Sequence, residues 1–161
     1  MNVLALVWLL VYTRVISHKK GKIEMATWIK NDGGRAEAGY KGNANDCVVR
    51  AFAIVMELPY KVIYDDVSYF MEAHGEPRSA RNGVPEHIVE KYMRNYGWKF
   101  VPAKQIGNDT NMHLNKTELP GGRIIADIKN HVCAVIDGVI NDTYDWSKDG
   151  EETVYGYWVK A

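Results

Sequence analysis

The order of local signals predicts an α+β domain, with helices first and an antiparallel sheet after them. Two observations carry this reading. Between residues 47 and 97, apolar residues run continuously or recur at helical spacing. From residue 98 onward, β-branched and aromatic runs of strand length take over. The two kinds of segment do not alternate, which argues against a parallel βαβ sheet. A length of 161 residues suits one domain with a single core.

Each element has its own justification. Residues 27–45 are rich in Gly, Asn, Asp and Lys, which is loop chemistry. The character changes at Asp46. Residues 47–58 (CVVRAFAIVMEL) are apolar almost all round, with Arg50 the one charge before Glu57. A run of that length closed by Pro59 reads as a helix buried in the core, with Asp46 or Asn45 as its N-cap. A second helix is expected from about Tyr60 to Ala73, where Val62, Ile63, Val67 and Phe70 form an apolar stripe and Gly75 supplies the stop. After a polar loop over residues 74–83, Pro85 announces a third helix that carries Ile88, Val89, Tyr92 and Met93 and stops near Gly97. Residues 98–101 read as a short strand and residues 102–120 as a long polar connection. Residues 123–128, 131–136, 139–143 and 153–159 read as further strands. Asp137-Gly138 between two of them is a two-residue hairpin signal.

The N-terminus stands apart from this pattern. Val3 to Tyr12 is an unbroken apolar run, followed by Arg14 and a basic cluster at residues 18–22. It is shorter than the roughly 20 residues a membrane span needs. A secretory signal would carry positive charge before the run and small residues after it, and neither is present. A membrane interaction is therefore not expected unless residues 3–16 form a genuine anchor. A helix docked on the core is the other structural reading. The preferred expectation is that residues 1–24 are an extension upstream of a true start at Met25, and that residues 25–161 form the domain.

Composition narrows the function classes. Twenty basic residues balance twenty acidic ones, so no general attraction to nucleic acid or anionic membrane is expected. Two cysteines, Cys47 and Cys133, are too few for a disulfide framework, and a reducing, cytoplasmic setting with free thiols is the expectation. Nothing in the chain implies a cofactor. The H-x-C spacing of His131 and Cys133 lacks the paired ligands of usual zinc sites, so no metal is expected.

A thiol nucleophile works as thiolate and needs a base within reach. Cys47 opens the buried helix, where the dipole and the unpaired N–H groups favour an anion and can hold an oxyanion. A plain buried cysteine is the alternative. His131 opens an apolar strand, and a histidine at a strand end lies at the rim of the sheet. If Asp137-Gly138 forms the turn, Ile136 pairs with Val139 and Cys133 with Asp142. Asp142 is then the diagonal neighbour of His131, placed to orient its ring. Asn141 and Asp145 are the fallbacks.

Cysteine at the start of a central helix, then histidine on a strand and a carboxylate on the next, resembles the papain-like cysteine peptidases. The stretch HVCAVIDGVINDTYD looks like the corresponding strands of their C39-like branch. More narrowly, GGRAEAGYKGNANDCVVRAFAI and the closing VYGYW resemble a group of small phage and bacterial proteins. The resemblance implies a papain-like fold with the central helix starting at the cysteine. It implies a cysteine hydrolase acting on a protein or peptide in the cytoplasm, that of the host where the gene is phage-borne, with a Cys47–His131–Asp142 triad. A transglutaminase-like acyl transferase and an inactive binding protein of phage origin are the rival readings. One departure bears on the choice. The family usually places a glutamine about six residues before the nucleophile, and Lys41 stands there, leaving Asn43 or Asn45 as substitute amide donors to the oxyanion.

Overall fold

The computed structural model describes residues 24–103, 105–106, 109–110 and 112–161. Residues 1–23, with the apolar run, lie outside the described residues. Among the described residues, no helix is long and apolar enough to cross a membrane.

The architecture is α+β. Its helices are α1 (Cys47–Met56), α2 (Tyr60–Ala73) and α3 (Glu86–Asn95), with a 3₁₀ turn at Ala80–Asn82. Its strands are β1 (Thr27–Lys30), β2 (Trp98–Pro102), β3 (Gln105–Ile106), β4 (Asp109–Thr110), β5 (Arg123–Ile128), β6 (His131–Ile136), β7 (Val139–Asp142) and β8 (Val154–Lys160). Six of them form one sheet in the order β1-β7-β6-β5-β8-β2, antiparallel except where β1 runs parallel to β7.

The sheet has two covered faces, as the alternation along β6 requires. Val132 and Ala134 join α1, α2 and α3 in one core, which also takes Ile125 and Trp158. Cys133 and Val135 point into a second core with Ile124, Ile140, Val154 and Leu114. The hairpin keeps the register its turn demands: Ile136 pairs with Val139, Val135 with Ile140 and Ala134 with Asn141. Asp137 and Gly138 take φ of 49° and 78°, the left-handed pair of a type I′ turn.

Three expectations need correction. Residues 27–30 are a strand, not a loop: β1 adds to the β7 edge, and this tertiary pairing is invisible to local composition. Residues 102–120 are not a bare connection. They hold the β3–β4 ladder and then Leu114 and Leu119, both buried in the second core. Finally, α1 stops at Met56 because Glu57 turns left-handed (φ 54°), its N–H bonding to the carbonyls of Ala53 and Ile54.

Candidate active site

The N-terminal end of α1 faces the ends of β6 and β7, and this junction gathers the chemistry. Cys47 is the first helical residue and is half-buried. His131 is the first residue of β6, and its Nε2 lies 2.6 Å from Asp142 Oδ2. Cys47 lines the same cavity as His131, and the two groups shift one another's ionisation. The three residues expected to converge from their order do converge. Asn141, the first fallback, takes another role: its Oδ1 accepts from Asn31 and its Nδ2 donates to the Val139 carbonyl. Asp145 caps the N–H of Ser147.

The unexpected strand β1 holds the carboxylate in place. The Asp142 carbonyl accepts from the Asn31 N–H at 2.9 Å and from the Trp28 indole at 3.1 Å. On the side chain, Oδ1 accepts from the Thr143 N–H at 2.6 Å, which leaves Oδ2 for the imidazole. Trp146 lies over His131, with ring centroids 4.4 Å apart and planes inclined by 33°. This indole shields the histidine–carboxylate bond from water.

Burial pushes the Cys47 thiol up, but more than enough works the other way. The His131 hydrogen bond and charge, the Val132 N–H and the Arg50 guanidinium bring it below the ordinary thiol value. Burial likewise opposes charge on His131, yet Asp142 and the thiol raise it to about 9. Both shifts run in the direction that favours a thiolate–imidazolium pair. Cys133, two residues along β6, is fully buried, and burial pushes its thiol well up.

The residue that caps α1 does not cap it with its side chain. Asp46 is fully buried, and its carboxylate is taken by Arg35 Nε at 2.9 Å, by Arg50 and by the Tyr60 hydroxyl. The first N–H groups of the helix, beside the thiol, thus have no side-chain cap.

Asn43 and Asn45 are exposed and are not among the residues lining the cavity described next. Their backbones serve the Arg81 loop instead: the Asn43 carbonyl accepts from Arg81 at 3.0 Å, and the Asn45 N–H donates to the Arg81 carbonyl at 2.8 Å.

A cavity of about 840 Å³ opens beside Cys47 and His131. Val48, Val89, Phe100 and Trp158 give it apolar walls, and Glu86 and Asp127 bring carboxylates to it. Burial and the Glu86 charge lift Asp127 to about 6. The ladder between β5 and β8 shifts register at Asp127/Ile128, pairing them with Gly156 and Val154, and the skipped Tyr155 lines the cavity.

Sequence reasoning missed β1, Trp146 as the cover of His131, and the Asp46 cluster. Only the last had a visible signal, a lone arginine within an otherwise apolar helix. No protein-family model, curated protein or solved structure matches the chain.

Proposed function

We propose that this chain is a papain-like cysteine hydrolase that cleaves a peptide, isopeptide or related amide bond of a protein or peptide. Cys47 Sγ attacks the carbonyl carbon, and the carbonyl electrons move onto oxygen. The oxyanion is held by uncapped N–H groups at the start of α1, a role that passes from the Asn43 and Asn45 amides to the backbone. As the C–N bond breaks, His131 gives its proton to the leaving amine. Water then attacks the thioester, gives a proton to His131, and frees the acid and the Cys47 thiolate, which restores the starting pair. Asp142 orients the ring and offsets its charge. With Nε2 engaged by Asp142, Nδ1 is the nitrogen left for the thiol.

The observation that carries this reading is the meeting of thiol, imidazole and carboxylate at the mouth of a cavity. A structural cysteine would be expected to resemble Cys133, enclosed and with its thiol pushed up. In the cavity lining the carboxylates Glu86, Glu90 and Asp127 outnumber the cations Arg94 and Lys129 by one, which suits a basic substrate side chain. They suit equally an amine acceptor, the acyl-transfer reading.

The test is incubation with peptidyl vinyl sulfones of varied sequence, read by intact mass and peptide mapping. One adduct at Cys47, forming at least tenfold faster than on a free-cysteine peptide and lost in His131→Ala, is the expected result. Labelling at the rate of a free thiol, indifferent to His131, sinks the proposal. Hydrolysis run with and without added primary amine separates cleavage from transfer.

A further inference from the structure

The triad reading leaves most of the motif GGRAEAGYKGNANDCVVR unused, and that stretch builds a buried ionic cluster directly behind the site. Cys47 and Arg50 are three residues apart on α1, so they share a helix face. The Arg50 side chain is only 11% exposed, and the carboxylates on either side of it are 0% (Asp46) and 4% (Asp142) exposed. Its Nη1 bonds Asp46 Oδ1, while Nη2 lies 3.6 Å from Asp142 Oδ1. Asp142 Oδ2 is the oxygen on His131.

The division of this guanidinium between two acids is informative. Asp46 already has Arg35 Nε at 2.9 Å and the Tyr60 hydroxyl. One carboxylate does not need two guanidinium groups. Turned fully onto Asp46, Arg50 could make the bidentate pair that arginine favours. Instead it spans both acids, and its buried Nε has no partner among the described residues. Such a buried, unpartnered donor is costly and marks a position held for another reason. The loop is built to allow it: Gly33 (φ 67°) sits so close to α1 that an added Cβ would be 3.1 Å from the Arg50 carbonyl oxygen. That approach brings Arg35 to Asp46 and releases Arg50 to reach Asp142.

We propose that Arg50 is a positioning residue of the Cys47–His131–Asp142 site, the guanidinium that fixes the Asp142 carboxylate against His131 and ties it to the helix carrying the thiol. The inference rests on Cys47 and His131 forming a reactive ion pair. Formal charges then balance within the cluster: two guanidinium groups and an imidazolium against two carboxylates and a thiolate. Arg50 is the part that remains positive when His131 gives up its proton. The other charges near the thiol, Glu86, Glu90 and Arg94 of α3, Asp127 of β5 and Lys129, lie around the cavity and are common to every variant below.

The experiment follows iodoacetamide alkylation of Cys47, by peptide mapping, between pH 4 and 10. The variants are Arg50→Met, Arg50→Lys, Arg35→Met and Asp142→Asn, each with its thermal midpoint. Arg50→Met is expected to slow alkylation at pH 6 about tenfold and to move the inflection towards that of a free thiol, the size of one pKa unit. Arg35→Met removes a partner of the same Asp46 but not of Asp142. It is expected to lower the thermal midpoint while leaving the Cys47 profile within twofold of wild type. Arg50→Met placed on Asp142→Asn should add less than a twofold change, because Arg50 then has no carboxylate at that position to hold. Where methionine prevents folding, Arg50→Lys decides, since a single ammonium does not span both acids; at least a threefold loss at pH 6 is expected.

A folded Arg50→Met or Arg50→Lys protein with the wild-type profile overturns the inference and leaves the thiol–imidazole pair standing. Equal effects of Arg35→Met and Arg50→Met overturn it as well, reducing Arg50 to scaffold. A wild-type Cys47 with the profile of a free thiol overturns both this inference and the reading on which it rests.

Discussion

Replacing Cys47 with serine is expected to make the stability of the protein more dependent on pH, although it removes a titrating group. In the unfolded chain between about pH 7 and 8, the imidazole is mostly neutral and the thiol mostly protonated, so the two groups hold about one proton. In the folded protein Cys47 is lowered and His131 is raised to about 9, so above the folded thiol value the pair, as thiolate and imidazolium, also holds one proton. Stability depends on the difference in protons bound, and that difference vanishes. For this pair the wild-type curve is flattened wherever the folded thiol is ionised.

Serine breaks the balance. His131 still faces Asp142 and stays raised, so the folded state holds a proton that the unfolded state has lost. A group raised on folding contributes stability that is complete below pH 6.5 and lost as pH rises through the folded value. The shift from 6.5 to about 9 sets an upper bound of about 3 kcal/mol at about 1.36 kcal/mol per unit. Two of the influences raising His131 come from the thiolate and disappear with it, so about 1–2 kcal/mol is expected. Urea denaturation of both proteins at pH 6.5, 7.5, 8.5 and 9.5 measures it, with all other groups common to the two. Parallel curves would mean that the folded site keeps its thiol protonated, and the reasoning would fail.

Asp127→Asn is expected to stabilise the protein by about 1 kcal/mol at pH 7, after discounting for partial exposure. Burial raises Asp127 to about 6, so the wild type loses stability as pH rises from 3.8 through 6; denaturation of the variant should show that slope removed. Gly156→Ala should cost about 1–3 kcal/mol in thermal denaturation, because its Cβ would lie 2.3 Å from Phe100 Cζ and 2.8 Å from the Val101 carbonyl oxygen. The Phe100 ring can give way, but the strand backbone cannot. Asp46→Ala strands two buried guanidinium groups and is expected to cost about 3–5 kcal/mol; a loss under about 1 kcal/mol in urea would show that water reaches the cluster.

The elements legible in the sequence are those decided locally. Residues 47–56 are apolar round nearly the whole helix, and Asp137-Gly138 dictates one turn with one register. Helix start, turn and register suffice to bring Cys47, His131 and Asp142 to one junction. Strand β1 was hidden because all four of its residues are exposed and carry no alternation; only its pairing with β7 makes it a strand. Asp46 was misread for a related reason. An aspartate before a helix is ordinarily a cap, and the partners that draw this carboxylate inward lie 11 residues before it and 4 and 14 after it.

The two cysteines show why position in the fold, and not residue type, decides the chemistry. Cys133 stands two residues from His131 and nine from Asp142, nearer to both in sequence than Cys47 is. Yet it points into the second core, where apolar neighbours and the charges of Asp142 and Cys47 all oppose its ionisation. Cys47, 84 residues before His131 in the chain, meets the imidazole from a helix terminus whose N–H groups and Arg50 favour the anion. Burial opposes both thiolates, so partners make the difference. Iodoacetamide at pH 6 should therefore label Cys47 in the folded protein and spare Cys133, while denaturant makes the two equal. Preferential labelling of Cys133 would mean that the helix terminus and the imidazole do not meet in solution.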